Sequence, residues 1–399
     1  MTAPTDSASR DDCDLLHELR SSPRLLSLVA ESSGNELALQ TQLRRQFPQR
    51  LVRGAFALCE LRRKGLAKFS LAAEMWFDRQ GLEQATSELV ARHKARRFSG
   101  TVFDLCCGIG GDCLALAERC LVTAVDLSPA ACLRTQWNAE VHGVSPRVEL
   151  ACQDVSAVDL GAALVHIDPD RRTQARGRAV RIEDYLPGLE ALQQMARTGR
   201  GGAIKLSPAA NFGGKFSDAE IELVSLYGEC KEATIWFGEL RGNESWRATV
   251  LPSGETLAGE PLDDAAEVTP PQNYVYDPDP AVVRSGLVDA AACRLGLDRL
   301  DRAEEYLTGS KFVATGFAQA FELVAELSHN LSEIRQYFRS SNFGQVEIKC
   351  RHIPVDVESI RRRLPLPGNE PAVLIFARLE GKARALVCQR AISPSTTAT

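Results

Sequence analysis

The chain contains no run of 18 or more apolar residues, and Met1 to Asp14 is polar and acidic with no hydrophobic leader segment. These absences argue against membrane insertion and secretion, so a cytoplasmic protein without a membrane partner is expected. There is no C-x-x-C pair either. Of the 12 cysteines, Cys106 and Cys107 are adjacent and the others are scattered, which in a reducing compartment reads as small buried hydrophobes and not as a zinc site or disulfide framework. The six histidines are equally dispersed, and no metal is expected. His166, inside an apolar run, reads as a hydrogen-bonded core residue. Net charge is only −5, but this hides a local excess of 13 Lys/Arg over 5 Asp/Glu between Thr41 and Arg97. Such an excess is either the footprint of a polyanionic partner or the solvated face of a helical domain.

Apolar residues make up 44% and charged residues 25% of the 399, the balance of an ordinary globular protein long enough for two or three cores. The most informative stretch is Phe103-Asp104-Leu105-Cys106-Cys107-Gly108-Ile109-Gly110-Gly111-Asp112. It joins an apolar strand to an amphipathic helix, and its three glycines let the backbone turn sharply and approach a ligand. Three further strand-like runs follow: Leu121 to Leu127 with Asp126 near its end, Arg147 to Val155 with Asp154, and Ala163 to Ile167 closing on Asp168-Pro169-Asp170. Strands that finish in polar residues line the carboxyl edge of a parallel sheet, where open α/β folds bind ligands.

A nicotinamide dinucleotide fits poorly here. Its fingerprint wants a glycine at the sixth position, which is Cys113, and Asp112 would put a carboxylate at the helix start where a pyrophosphate should rest. A ligand with an amino group and no phosphates fits better. The residues resemble class I S-adenosylmethionine-dependent methyltransferases over about 100–250. By that resemblance Asp104, Cys106, Gly108, Gly110 and Gly111 form the first cofactor motif, Asp126 is the ribose acid and Asp154 the adenine-side acid, Leu127 and Val155 beside them join the cofactor-binding residues, and Asp168-Pro169 is the catalytic loop. The resemblance implies S-adenosyl-L-methionine as cofactor and a Rossmann-like, seven-stranded α/β sheet in residues 99–255.

Residues 1–98 read as helices. Within them, Lys68-Phe69-Ser70, Met75-Trp76-Phe77-Asp78 and Glu83 to Glu88 are similar to the segment upstream of the first motif in RNA cap trimethylguanosine synthases and their bacterial relatives. This adds Thr86 to the cofactor residues, and Thr86 or Ser87 could cap the helix that follows. Trp76 and Phe77 also read as core residues. Past the catalytic loop, Leu186 to Ala196 and Asp218 to Tyr227 read as helices, Ala203 to Leu206 as a strand, and Ala233 to Phe237 with Ala248 to Leu251 as a closing hairpin.

The proline-rich residues 256–280 read as a linker and 281–315 as a helical connector. From 316 to 393 the order β, α, β, α, β, β describes an α+β module. Ala281-x-x-Arg284-x-Gly286-Leu287, Tyr306-Leu307-Thr308-Gly309 and Val346-Glu347-Ile348-Lys349 resemble the THUMP-like domain that follows bacterial methyltransferases of this type, although His352 stands where that family has glycine. The resemblance implies RNA as a partner, with Lys349, Arg351 and Arg361 to Arg363 as candidate phosphate contacts.

In amino-group methyltransferases a D/N-P-P-aromatic loop orients the nucleophile; here Asp168-Pro169-Asp170-Arg171 keeps the acid and the first proline only. Arg171 and Arg172 then become candidates for substrate binding, through a guanidinium over a base or, with Arg176, Arg178 and Arg181, through a phosphate backbone. The expectation is methylation of a base nitrogen in RNA. The alternatives are an RNA-binding protein without catalysis and a methyltransferase acting on a small anionic metabolite.

Overall fold

The computed structural model describes residues 6–32, 34–171 and 181–391. It divides into two units, Met1–Glu220 with Ala233–Gly242 and Ile221–Glu232 with Asn243–Thr399. Among the described residues no helix is long and apolar enough to cross a membrane.

In the first unit six helices precede the sheet among the described residues: Asp6–Arg20, Pro23–Ala30, Glu36–Leu43, Gln49–Gly65, Arg79–Gln84 and Glu88–Ala95. They share one hydrophobic core with the ligand edge of the sheet, because Phe69, Met75, Trp76 and Phe77 cluster with Ile109, Leu114 and Trp137. Trp76 meets Trp137 edge-on at 4.8 Å, so the core reading of Trp76 and Phe77 is what the structure contains.

The strands are β1 (Thr101–Leu105), β2 (Leu121–Asp126), β3 (Val148–Cys152), β4 (Leu164–Ile167), β5 (Gly201–Leu206), β6 (Glu220–Leu226), β7 (Glu229–Gly238), β8 (Trp246–Leu251) and β9 (Glu255–Gly259). In the first unit their order is β7-β5-β4-β1-β2-β3, with β7 antiparallel to β5 and the others parallel. Strands β4 and β5 are buried along their whole length, as parallel strands covered on both faces must be. Gly202 is required in β5, since a Cβ there would fall 2.1 Å from the Val165 carbonyl oxygen. Chain order reverses between β1 and β4, and this switch opens a crevice at the strands' carboxyl ends.

Two readings change. The stretch 218–227 contains strand β6 (Glu220–Leu226) and no helix: Glu220 and Glu222 look like a solvated helix face in sequence, yet both are fully buried and paired. Arg97 grips Glu220 at 2.6 and 3.1 Å, and Thr249 donates to Glu222 at 2.6 Å. Residues Ala248 to Leu251 do not form a hairpin with β7; β8 lies parallel to β6 and antiparallel to β9.

In the second unit the proline-rich stretch also differs from the expected linker, because it carries β9 and β10 (Tyr274–Pro278). With β11 (Asp298–Arg299), β12 (Leu307–Gly309), β13 (Ala318–Ser328), β14 (Phe343–Cys350), β15 (Glu370–Leu379) and β16 (Lys382–Arg390), β10 forms a sheet ordered β11-β12-β10-β13-β16-β15-β14. Helices Leu331–Arg339 and Val357–Arg363 complete the expected β, α, β, α, β, β order. The candidate phosphate contacts Lys349 and Arg351 are already taken by Asp277, at 2.9 and 2.6 Å, and Arg361 pairs with Glu358 at 2.6 Å. His352 pairs with Glu305 at 2.7 Å.

Asn138 fastens the helical region to the ligand edge. Fully buried, it accepts from the Trp76 N–H at 2.7 Å and donates to the carbonyls of Trp76 and Ile109 at 3.1 and 2.9 Å. Asn138→Ala strands these backbone groups in an apolar setting and should cost about 3 kcal/mol, read as a lower urea midpoint for loss of tryptophan fluorescence.

Candidate active site

The turn after β1 is built from unusual backbone angles. Cys106 has φ +59°, Gly108 +57° and Gly110 +89°; the first is a conformation that non-glycine residues hold at a cost of about 1–2 kcal/mol. The Cys107 N–H donates to the Val125 carbonyl. The Gly108 N–H donates to Asp126 Oδ2 at 2.9 Å, and the Ser128 N–H to Asp126 Oδ1 at 2.9 Å. The loop from β1 and the acid ending β2 are thus clasped together before any ligand arrives. The helix Gly111–Ala117 follows at once.

Above this clasp lies a cavity of about 1000 Å³. The expected residues Thr86, Asp104, Cys106, Gly108, Gly111, Asp126, Leu127, Asp154, Val155, Asp168 and Pro169 all line it; Gly110 shapes the turn without reaching the wall. Asp154 also caps the short helical turn after β3, accepting from Ser156 N–H and Oγ at 2.8 and 2.7 Å, and these bonds hold its carboxyl below the usual range. Burial pushes Asp126 up, against the N–H bonds from Ser128 and Gly108. Burial also pushes the Cys106 thiol well up, reinforced by Asp126 and Asp168, which leaves it a neutral wall group and not a nucleophile. Of the candidate substrate residues, the Arg171 backbone pairs with Tyr185, while its side chain and all of Arg172, Arg176 and Arg178 lie outside the described residues.

Beneath the loop is a charged network that was only partly legible in the sequence. Lys94 Nζ stands 2.8 Å from Asp112 Oδ1, and Thr86 Oγ1 donates to Asp112 Oδ2 at 2.7 Å. His166 Nδ1 bonds Asp104 Oδ1 at 2.7 Å, with its Nε2 3.8 Å from Asp112. All are buried. Burial would raise Asp112, but Lys94, His166 and Lys205 hold it well below the usual range. Burial raises Asp104 against the His166 bond. Burial would lower His166, yet Asp112 and Asp104 carry it above its ordinary value. The Thr86 hydroxyl therefore serves Asp112; the helix Glu88–Ala95 starts at Ser87, which makes no side-chain cap bond.

Three groups were missed in the sequence. Arg134 ties Asp78 at 3.3 Å and Asp12 at 3.0 Å on the cavity wall. Lys94 lies within a basic-rich helix that gives no hint of its burial. Lys205 bonds Asp168 Oδ2 at 2.6 Å, and its position as a lone charge between Ile204 and Leu206 in an apolar strand was the available signal.

Asp104 Oδ2 is buried without a hydrogen-bond partner on the cavity wall, and Asp126, Asp154, Asp168 and Asp170 add carboxylates around it. A wall of acids suits a cationic, phosphate-free nucleoside with hydroxyls and an ammonium to donate. It repels a pyrophosphate.

Residues 99–195 match the RNA cap guanine-N2 methyltransferase family, and residues 318–390 match the THUMP domain-like family. Uncharacterized S-adenosylmethionine-dependent methyltransferases from Mycobacterium tuberculosis strains CDC 1551 / Oshkosh and ATCC 25618 / H37Rv are each 34% identical over 331 residues, spanning 80% of this chain and 90% of the relative. The fold is similar to the crystal structure of a "putative methyltransferase" from Porphyromonas gingivalis W83, with a TM-score of 0.75 and 19% identity over 94% of this chain and 99% of that one.

Stability conferred by protonated His166 is complete below its unfolded value of 6.5 and is lost as pH rises through the higher folded value. Urea unfolding free energies between about pH 5 and about pH 8 should accordingly fall more steeply with pH for the wild type than for His166→Gln. Parallel curves would contradict the buried ion network.

Proposed function

The chain belongs to the S-adenosylmethionine-dependent methyltransferases, and on that premise we propose that its methyl acceptor is a base nitrogen of RNA. S-adenosylmethionine is the cofactor, and it supplies a methyl group already activated on a sulfonium.

The remaining work for the protein is to hold the partners in line and to keep the acceptor's lone pair free. On the cofactor side, Asp126 is assigned to the ribose diol. Asp154 and Val155, with Leu127, are assigned to the base. Asp104 and the turn through Cys106, Gly108, Gly110 and Gly111 take the amino-acid end, with Thr86 bracing the turn through Asp112.

On the acceptor side, Asp168 and Pro169 stand at the end of β4 on the same cavity wall, and this placement carries the reading. A carboxylate and an adjacent carbonyl can each accept an N–H, which suits an amino or ring nitrogen and offers nothing to a phosphate. The acidic wall likewise disfavours a small anionic metabolite. RNA is supported by the similarity of residues 99–195 to an RNA methyltransferase family and of 318–390 to the THUMP domain-like family. It is supported also by Arg362 and Arg363, both exposed on the helix Val357–Arg363.

Purified protein incubated with methyl-labelled cofactor and total RNA should transfer label to RNA; label in small molecules or protein alone would refute the proposal. Asp168→Ala should retain cofactor binding by calorimetry while losing about 100-fold or more in transfer. Asp126→Ala should instead weaken cofactor binding by roughly tenfold or more, the worth of one or two hydrogen bonds to a charged group.

A further inference from the structure

We propose that Lys205 is a positioning residue for Asp168: its ammonium engages one carboxylate oxygen and so presents the other to the N–H of the acceptor nitrogen. This inference rests on the nitrogen-acceptor reading above and adds a residue outside the motifs read in the sequence.

Lys205 lies in β5, buried over its full length, and is itself only 6% exposed. Its neighbours Ile204 and Leu206 are almost completely buried. A lysine ammonium in such surroundings is costly unless it is paired. Here it has two partners, Asp168 Oδ2 at 2.6 Å and the Gln84 carbonyl at 3.1 Å. Its charge also helps to hold Asp112 below the usual carboxylate range.

Asp168 is thereby held from two directions. Its backbone N–H donates to the Leu105 carbonyl at the end of β1, at 3.1 Å, and its side chain is drawn toward β5 by Lys205. Among the described residues no other side chain bonds this carboxylate. Asp168 remains 31% exposed on its side-chain surface and lines the cavity, so one oxygen is spoken for and the other is available. A carboxylate free to rotate would present its lone pairs over a broad arc; pinning one oxygen converts it into a directed acceptor.

The chemistry asks for no more from these two groups. The acceptor nitrogen's lone pair forms the bond to the methyl carbon, the carbon–sulfur pair returns to sulfur to leave a neutral thioether, and the nitrogen releases one proton to solvent. Lys205 takes no part in the proton transfer. The Gln84 contact adds a second consequence: Lys205 also ties Asp168 to the end of the helix Arg79–Gln84, so the segment upstream of the glycine turn and the catalytic loop share one cation.

The full chain should be assayed with labelled cofactor as wild type, Lys205→Met, Lys205→Arg, Asp168→Asn and the Lys205→Met/Asp168→Asn double variant, on total RNA and on a nuclease-treated cell extract. Lys205→Met should lower kcat by about 30-fold with KM for the cofactor changed less than about twofold, and Lys205→Arg should restore most of the loss. In the Asp168→Asn background the Lys205→Met change should have almost no further effect, because the cation acts through that carboxylate. Independent, multiplying losses would overturn the inference, as would a loss confined to cofactor KM. Lys205→Arg and cofactor calorimetry guard against misfolding of the methionine variant. Label on the nuclease-treated extract but not on RNA would refute the RNA reading while the same variants still judge Lys205; label on neither acceptor would overturn both.

Discussion

A buried ion network beneath a glycine turn is the constraint on which the site depends. Asp112 opens the helix Gly111–Ala117, and Lys94 and the Thr86 hydroxyl neutralise and anchor it from the helical region. Each partner would be expensive to bury alone. Together they lock the upstream segment against the loop, so the turn through Cys106, Gly108 and Gly110 is held in left-handed angles that an isolated chain would abandon. The same network reaches β4 through His166 and Asp104, and from there Asp168-Pro169 at the end of that strand.

The electrostatics of the cavity follow from this arrangement. Lys94 and Lys205, the cations paired with Asp112 and Asp168, are buried, whereas Asp126, Asp154, Asp168 and Asp170 reach the cavity wall. Among the described residues the cavity wall therefore carries more acids than cations. That polarity matches a sulfonium nucleoside with an ammonium tail, and it separates this crevice from a dinucleotide site built on the same topology, where the helix start must welcome phosphates.

Much of the architecture was legible because its signals are local. Continuous apolar runs ending in acids reveal β1 to β4, and alternation followed by helical spacing reveals the module from Ala318 to Arg390. The misread elements share a different cause. Glu220 and Glu222 look solvated until Arg97 and Thr249 are brought to them by distant chain, which hides β6 inside a helical pattern. The stretch 256–280 looks like a linker because Pro270 and Pro271 precede β10 and Pro278 ends it, positions that spare the ladder's donors. Lys349 and Arg351 look like phosphate contacts until Asp277, from β10, occupies them.

By itself the sequence determined the glycine turn, the acids at the strand ends and the order in which they follow one another, since backbone permissiveness and hydrophobic period are properties of neighbouring residues. The family resemblance that these residues carry implied the cofactor class. Only the tertiary structure decided which charges are partners: that Asp112 belongs to Lys94 and Thr86, Asp104 to His166, and Asp168 to Lys205. Those pairings join residues 18 to 62 positions apart, and their stability arises from desolvation within a shared core, a quantity that exists only once the separate elements have been packed together.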